Sequence, residues 1–396
     1  MRTILVTGPG GAGRSTAAAA TALTAARAGH RTLVLSADPA DGLGAALATP
    51  TGPHPVRIAG PDAPLTAWRP AAAPFGADLL RLQEWAAPAL DLAGAARLEA
   101  EELTPLPGAE EAAVFRALRE SAQVADTDVV VVDLPPLDRA LSLLALPPQL
   151  RRYLRRLLPA ERRAASGLRP VLGRLAGIPL PTEGLYETVD RWDRELAAVE
   201  AVVAAPTTTV RLVAEPGPAA TTALATATTG FALHALRVDA LLASRTLPRS
   251  LDGDAAGSWL AGPLAQQRAA LDDWTARPAA PVHELPHLGR EPRGLDDLAA
   301  LGVPLDAAPP RPVHWPVEDR LAADGVLVWT IPLPGAVRGE LDLLRRGDEL
   351  VLTVGRFRRI VPLPSALRRC TVTGAGLSEG ELRVRCTPDP ALWPRK

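Results

Sequence analysis

Residues 3–16 constrain the fold more than any other segment, because they join an apolar run to a glycine cluster and an alanine-rich stretch. They contain the pattern Gly8-x-x-x-x-Gly13-Arg14-Ser15, the spacing of a phosphate-binding P-loop between a β-strand and a helix. Glycines tolerate positive φ and let backbone N–H groups approach phosphate oxygens. The following helix, from about residue 15 to 28, points its positive end at the same place. The predicted phosphate-site residues are Gly8, Gly10, Gly11, Ala12, Gly13, Arg14, Ser15 and Thr16.

Arginine stands where this motif normally has lysine. Lys396 is the only lysine of the chain, so no remote lysine within it supplies the missing group. Arg14 keeps the positive charge, but its guanidinium is bulkier, planar and forked. We expect Arg14 to contact phosphate and to act in catalysis, and Ser15 to ligate Mg²⁺ through its hydroxyl. The alternative is a tight strand-to-helix turn that binds no ligand.

Two aspartates follow other predicted strands. Asp38 comes after the run 32–36, where a carboxylate in a P-loop ATPase can orient or activate the attacking water. Asp133 follows four valines and fits the position of a carboxylate that holds Mg²⁺ directly or through water. Both lie at carboxyl ends of strands, where open α/β sheets bind ligands. The alternatives are local: Asp38 as a helix N-cap or turn residue, and Asp133 as a strand-end residue with a nearby hydrogen bond.

The same glycines also fit a second motif. Gly8-x-Gly10-x-x-Gly13 matches the dinucleotide-binding fingerprint, and Asp38 lies where an acid that binds ribose would sit. Three features argue against a nicotinamide enzyme: Arg-Ser-Thr follows the loop directly, a proline follows Asp38, and a further strand ends in an acid at Asp133.

Composition limits the partners and the compartment. The formal net charge of −1 at pH 7 gives no reason to expect nucleic acid or an anionic membrane as a partner. Met1 and Arg2 lead directly into a predicted core strand, so we expect no signal peptide and predict a cytoplasmic protein. Cys370 and Cys386 are expected to pack in strands rather than to form a redox pair, and the six histidines have no metal-ligand spacing.

The predicted fold class is α/β, with the parallel sheet of a P-loop NTPase, a helical subdomain and a small C-terminal all-β sandwich. Continuous apolar runs are typical of strands covered by helices on both faces. Residues 1–308 are predicted as the ATPase-like domain, with helical insertions at about 65–125 and 148–203. A proline-rich linker is predicted at 309–325 and the sandwich at 326–396. The expected sheet strands are 3–7, 32–36, 128–132, 209–213 and 238–243.

The order and spacing of these motifs resemble those of the ArsA-type ATPases, which include the arsenical pump-driving ATPase and the tail-anchored-protein targeting ATPase. Gly8 to Thr16 resembles the family's P-loop, Ser36 to Leu43 its first switch, and Asp133 to Leu144 its second switch. The resemblance implies ATP and Mg²⁺ as ligands, with Asp38 and Arg14 as the catalytic residues and Ser15 and Asp133 at the metal.

The resemblance continues to the end of the chain. Arg237 to Pro248 looks like the strand that carries an adenine-contacting asparagine, which implies nucleotide contacts from Ser244 and Arg245. Leu285 to Gly294 resembles a later segment of the family. Residues 329–386 are similar to the α-crystallin-like domain of many bacterial members.

The chain departs from the family pattern where the chemistry lies. Pro9 replaces an additional lysine that in the family reaches the nucleotide of the partner subunit, and Arg14 replaces the P-loop lysine. Ser244 stands in place of the adenine-contacting asparagine. The second switch has Leu137-Asp138-Arg139 where Thr-Gly-His is expected. The cysteines that bind arsenite or a dimer-bridging zinc in the family have no counterparts here.

The resemblance implies a dimer, either a homodimer or a heterodimer with a paralogue whose P-loop is intact. It also implies a hydrophobic client or a membrane-protein partner. The sequence leaves three functions open: an active ATPase in which Arg14 does the lysine's work, a nucleotide-binding pseudo-ATPase, and a client-binding scaffold without nucleotide. A dinucleotide enzyme is a more distant alternative.

Overall fold

A computed structural model of the chain describes residues 1–58, 63–71, 98–102, 109–123, 127–157, 183–251, 259–276, 280–305 and 313–393, with a few isolated positions between 80 and 96. Much of the first predicted insertion, including residues 72–79, lies outside these residues. So do residues 158–182 of the second insertion.

The N-terminal part is built on one eight-stranded sheet. Its strands are β1 Arg2–Thr7, β2 Thr32–Ser36, β3 Val56–Arg57, β4 Leu65–Trp68, β5 Val129–Asp133, β6 Thr208–Ala214, β7 Arg237–Thr246 and β8 Val282–Pro286. They are arranged in the order β3-β4-β2-β5-β1-β6-β7-β8. Every neighbouring pair is parallel except β3 and β4. The predicted α/β fold around a parallel sheet is therefore confirmed.

Helices cover both faces of this sheet. They are α1 Arg14–Arg27, α2 Gly42–Leu47, α3 Ala109–Gln123, α4 Leu137–Leu157, α5 Glu183–Val203, α6 Pro218–Leu233, α7 Ala261–Ala276 and α8 Gly294–Ala300. One face carries α1, α2 and α8, and the other carries α3 to α7. The alanines of α1 are almost completely buried, and their small side chains allow the helix to lie close to the sheet. Two-sided burial explains why the central strands are continuous apolar runs.

The C-terminal part consists of two packed antiparallel sheets, as predicted. Its elements are β9 Val317–Arg320, α9 Leu321–Asp324, β10 Val326–Pro332, β11 Leu341–Arg346, β12 Glu349–Val354, β13 Phe357–Pro362, β14 Cys370–Ser378 and β15 Glu381–Pro388. One sheet has the order β14-β15-β10-β9 and the other β11-β12-β13. Leucines, valines and Trp329 fill the core between them, and both cysteines are buried and free.

Two segments differ from the prediction. Val317–Arg320 lies inside the predicted linker, yet it pairs antiparallel with Val326–Trp329 and so belongs to the sandwich. Leu65–Trp68 lies at the start of the predicted helical insertion, yet it is a parallel strand beside β2. Both strands are short, and the hydrogen bonds of a neighbouring strand, rather than a local apolar run, specify them.

The sandwich contacts the N-terminal part at α4 and at the end of α6. Arg152 makes two hydrogen bonds to the Glu349 carboxylate, at 2.9 and 2.8 Å. Arg359 donates to the carbonyl of Leu233 at 2.6 Å, and Leu233 is buried within the sandwich core. In the described part of the chain, no helix is both long and apolar enough to span a bilayer.

Candidate functional site

The glycine loop connects β1 to α1 at the carboxyl edge of the sheet. Gly11 and Gly13 adopt φ of 79° and 81°, a left-handed conformation that favours glycine. Gly8 faces a different constraint, because a Cβ placed there would lie 1.9 Å from the carbonyl oxygen of Val213 in β6. The loop's glycines are therefore required by backbone conformation at two positions and by close packing at a third.

Asp133, at the end of β5, is the buried acid at this edge. Its Oδ2 accepts hydrogen bonds from Ser15 at 2.8 Å and from Ser36 at 2.9 Å. Its Oδ1 is buried and has no hydrogen-bond partner among the described residues. Burial raises the pKa of Asp133, an effect opposed by the two serine hydroxyls and by the charge of Arg14. The structure thus brings together Ser15 and Asp133, the two residues predicted to hold a metal.

The unpartnered Oδ1 of Asp133 bears on whether Asp133 and Ser15 fit Mg²⁺. A carboxylate oxygen that is buried without a donor is costly unless a cation satisfies it, and Mg²⁺ prefers oxygen ligands. Among the described residues, no group of three or more His, Cys, Asp and Glu side chains could hold a metal by itself. One carboxylate and one hydroxyl fit an ion that also takes water and phosphate oxygens, which is the usual way Mg²⁺ is bound with nucleotides.

Asp38 lies close to the Ser15 hydroxyl. Its Oδ1 accepts from the N–H of Ala40 at 3.0 Å, and its Oδ2 accepts from the N–H of Gly42 at 3.2 Å. A Cβ built on Gly42 would lie 2.7 Å from Asp38 Oδ2 and 3.1 Å from Ser15 Oγ. The local turn role considered for Asp38 is therefore present, and the same turn holds its carboxylate beside the start of α1.

Arg14 makes a contact that the motif does not predict. Its Nη1 donates to the carbonyl oxygen of Leu134, the residue that follows β5. Arg14 still lines the cleft, but one donor of its guanidinium binds protein backbone. A lysine ammonium is more compact and lacks the forked guanidinium that makes this contact.

A cleft of about 880 Å³ adjoins the loop. Gly11, Gly13, Arg14, Ser15 and Thr16 line it from the sheet edge, and Ser244 and Arg245 line it from β7. Ser244 is buried, and its hydroxyl has no partner among the described residues. Arg245 donates to the Gly11 carbonyl at 3.0 Å. Four other predicted site residues, Gly8, Gly10, Ala12 and Asp38, belong to the loop or to the adjoining turn rather than to the cleft wall.

The opposite wall comes from the segment between β8 and α8. It contributes the residues His287, Leu288, Arg290, Glu291, Pro292 and Arg293. The resemblance covers this segment, but these residues were not predicted as site residues. Their signal in the sequence is two arginines, Arg290 and Arg293, in the short segment between β8 and α8. Arg290 and the backbone N–H of Arg293 both bind Asp297, and these contacts lower the pKa of Asp297.

The chain matches two family models. Residues 1–306 match the anion-transporting ATPase model, and residues 324–385 match the model of the HSP20-like domain found in ArsA. Together these two matches cover most of both parts of the fold.

Three relatives match along nearly their whole length. An uncharacterized protein of Streptomyces coelicolor is 63% identical over 396 residues and covers 100% of both chains. A protein of Mycobacterium tuberculosis is 34% identical, with 99% of this chain and 97% of the relative covered. The putative arsenical pump-driving ATPase 1 of Aquifex aeolicus is 26% identical, with 97% and 99% covered.

Proposed function

The chain belongs to the anion-transporting ATPase (ArsA) family, and from that premise we propose that it binds ATP with Mg²⁺ at the carboxyl edge of its parallel sheet. One observation carries the proposal: the buried Asp133 carboxylate holds the Ser15 hydroxyl at 2.8 Å and leaves its other oxygen without a partner. This pair stands at the first turn of the helix that follows the glycine loop. Helix start, hydroxyl and acid are what a nucleotide-bound magnesium ion requires.

Each part of the site has a role in this proposal. The loop and the start of α1 hold the phosphates by backbone N–H groups and the helix dipole. Mg²⁺, when bound, offsets the negative charge of the β- and γ-phosphates. Asp38 is held by two backbone N–H groups next to Ser15, where it orients the attacking water. Ser244 contacts the nucleoside side of the ligand from β7, next to Arg245, whose side chain binds the Gly11 carbonyl of the loop.

A second candidate is a nucleotide-binding protein with little turnover of its own. The contact between Arg14 and the Leu134 carbonyl favours it, because that guanidinium is held by the protein rather than left free to follow the γ-phosphate. Phosphoryl transfer depends on positioned positive charge, and losing one such group costs orders of magnitude in rate. Nucleotide binding would survive, since the loop N–H groups, the helix dipole and Mg²⁺ remain.

One experiment separates these functions. The melting temperature is measured with Mg²⁺ and ATP, ADP, NAD or no ligand, and phosphate release is followed in the same samples. A shift with ATP and steady release supports an active ATPase, whereas a shift without release supports the pseudo-ATPase. Absence of any shift with ATP and ADP contradicts the nucleotide site, and a shift with NAD alone favours the dinucleotide alternative.

We also propose that the protein forms a dimer and couples its nucleotide to a hydrophobic client. Leu146, Leu150 and Tyr153 are exposed on one face of α4, at the spacing of successive helical turns. The dimer is tested by measuring the molar mass by light scattering, with and without Mg-ATP. The samples are this chain alone and this chain mixed with a paralogue that has an intact P-loop. Binding of a fluorescent apolar helical peptide, lost in Leu150→Glu, tests the client surface, and equal binding by that variant contradicts it.

A further inference from the structure

The end of β7 contains a local backbone irregularity at Arg245. This residue has φ of 55°, in the left-handed region that arginine rarely adopts. The pairing of β7 with β8 shifts register between Ala243 and Thr246, so the irregularity is a β-bulge. Bulges next to functional sites re-aim a side chain, and a strained residue persists only where its surroundings hold it.

The bulge directs the Arg245 side chain at the glycine loop. Its Nη1 donates to the carbonyl oxygen of Gly11 at 3.0 Å and lies 3.4 Å from Oε2 of Glu215, which follows β6. The side chain is about half exposed, with 47% of its surface accessible. The Arg245 side chain therefore joins the end of β7 directly to the tip of the glycine loop.

The same peptide group is held at its other end. The N–H of Ala12 donates to the carbonyl oxygen of Pro9 at 3.3 Å. The peptide that joins Gly11 to Ala12 is thus fixed by Arg245 at its oxygen and by the Pro9 turn at its nitrogen. Gly11 has φ of 79°, and glycine by itself moves freely between left- and right-handed conformations. These two contacts keep the loop tip in one of them.

We propose that Arg245 is a positioning residue that locks the tip of the phosphate loop and so pre-organises it for the β-phosphate of the nucleotide. The inference rests on the proposed nucleotide site and gives it a mechanism. The loop from Gly8 to Gly13 carries no charged side chain, so phosphate binding before Arg14 depends on its backbone N–H groups. A rigid loop held from β7 compensates, because pre-organised donors bind phosphate without first being ordered.

The test measures the affinities of adenosine, AMP, ADP and ATP, each with Mg²⁺, for the full chain and for Arg245→Ala. Removing a charged hydrogen-bond donor is expected to weaken ADP and ATP by about 10- to 100-fold. Adenosine and AMP, which do not reach the β-phosphate position, are expected to change by less than about threefold. Arg245→Lys keeps a charged donor and should recover part of the loss. Arg249→Ala, an exposed arginine three residues beyond the strand, is the matched control and should behave like the parent chain.

A second readout needs no nucleotide. Amide hydrogen exchange at residues 9–13 should be faster in Arg245→Ala and unchanged in Arg249→Ala, because the first variant frees the loop tip. Glu215→Gln removes the negative charge that faces Arg245 at 3.4 Å, so it should shift both readouts in the same direction by a smaller amount.

The outcomes distinguish this inference from the proposed function. If the parent chain binds neither ADP nor ATP, the nucleotide site is contradicted, and loop exchange alone still tests the lock. If the parent chain binds and Arg245→Ala matches it in both affinity and exchange, the lock is overturned. Equal weakening of adenosine and ADP also overturns it, since Arg245 would then contact the nucleoside.

Discussion

At the scale of single residues, the site differs from an ordinary P-loop in the contacts of Arg14, which stands in place of the usual lysine. Arg14 keeps a positive charge next to Asp133, and the two are close enough for the charge of Arg14 to influence the carboxyl's pKa. Its guanidinium also binds the Leu134 carbonyl, so it joins the loop to the end of β5. In the proposed nucleotide site, this contact leaves the charge of Arg14 less free to follow the γ-phosphate.

Arg14→Lys tests this interpretation. A lysine ammonium is a compact point charge on a flexible stem, and it can follow the phosphate instead of bridging to Leu134. We expect phosphate release to rise by at least about tenfold, equivalent to about 1.4 kcal/mol of activation free energy. The measurement is steady-state phosphate release with Mg-ATP. Arg14→Ala serves as the control, and a rate in Arg14→Lys equal to that of the parent chain would mean that arginine already does the work of lysine.

Asp38→Asn separates binding from turnover. Asparagine keeps one of the two side-chain oxygens, so it can accept from the N–H of Ala40 or of Gly42 but not from both. It also lacks the negative charge that activates water in the proposed function. We expect phosphate release to fall by at least about 100-fold, while ADP affinity changes by less than about threefold. Release and ADP binding are measured on the same preparation. Persistent release would exclude Asp38 as the catalytic group.

At the scale of elements, the β1–loop–α1 unit is fixed by one close approach. Gly8→Ala would place a Cβ 1.9 Å from backbone of β6, so the loop or β6 has to shift. We expect a loss of about 1–3 kcal/mol in the free energy of unfolding, the usual cost of overpacking a dense interior. Gly10→Ala is the matched control, because a Cβ there meets no atom within 4 Å. Denaturant unfolding measures both, and equal stability of the two variants would contradict the close approach.

Elements with strong local patterns were predictable, and those specified by distant partners were not. β1, β2 and β5 are continuous apolar runs because helices bury both of their faces. β9 has the sequence Val-Glu-Asp-Arg, and only its pairing with β10 makes it a strand. The site divides in the same way. Motif spacing predicted Ser15 beside Asp133, because both positions have a role at the metal in the P-loop pattern. No pattern assigns a partner to an arginine at position 14, so its contact with the Leu134 carbonyl is visible only in the folded sheet.

At the scale of the whole molecule, the sandwich packs on the sheet domain through the end of α6. His234 follows α6, where its backbone N–H donates to the carbonyl of Gly230. Arg359 of β13 binds the neighbouring Leu233 carbonyl and lies over the ring of Trp315. Burial, with a smaller effect of the Arg359 charge, lowers the pKa of His234 to about 4. Burial at the end of α6 therefore holds this histidine in its neutral form, with a smaller contribution from Arg359 of the sandwich.

This arrangement makes the stability depend on pH. In the unfolded chain a histidine has a pKa of about 6.5, so between pH 6.5 and 4 the unfolded state binds a proton that the folded state does not. Stability from this residue is thus complete above pH 6.5 and decreases as the pH falls. We expect a loss of about 2 kcal/mol by pH 5.

The experiment compares denaturant unfolding at pH 7, 6 and 5 for the parent chain and for His234→Gln, which keeps a polar side chain but does not titrate. The variant is expected to lose less stability between pH 7 and 5 than the parent, whatever its stability at pH 7, because it has no proton to gain on unfolding. His54→Gln removes an exposed histidine, and its pH dependence should follow the parent chain. Parallel curves for the parent and His234→Gln would show that His234 takes up its proton equally in both states, and burial would then not hold it neutral in the folded chain.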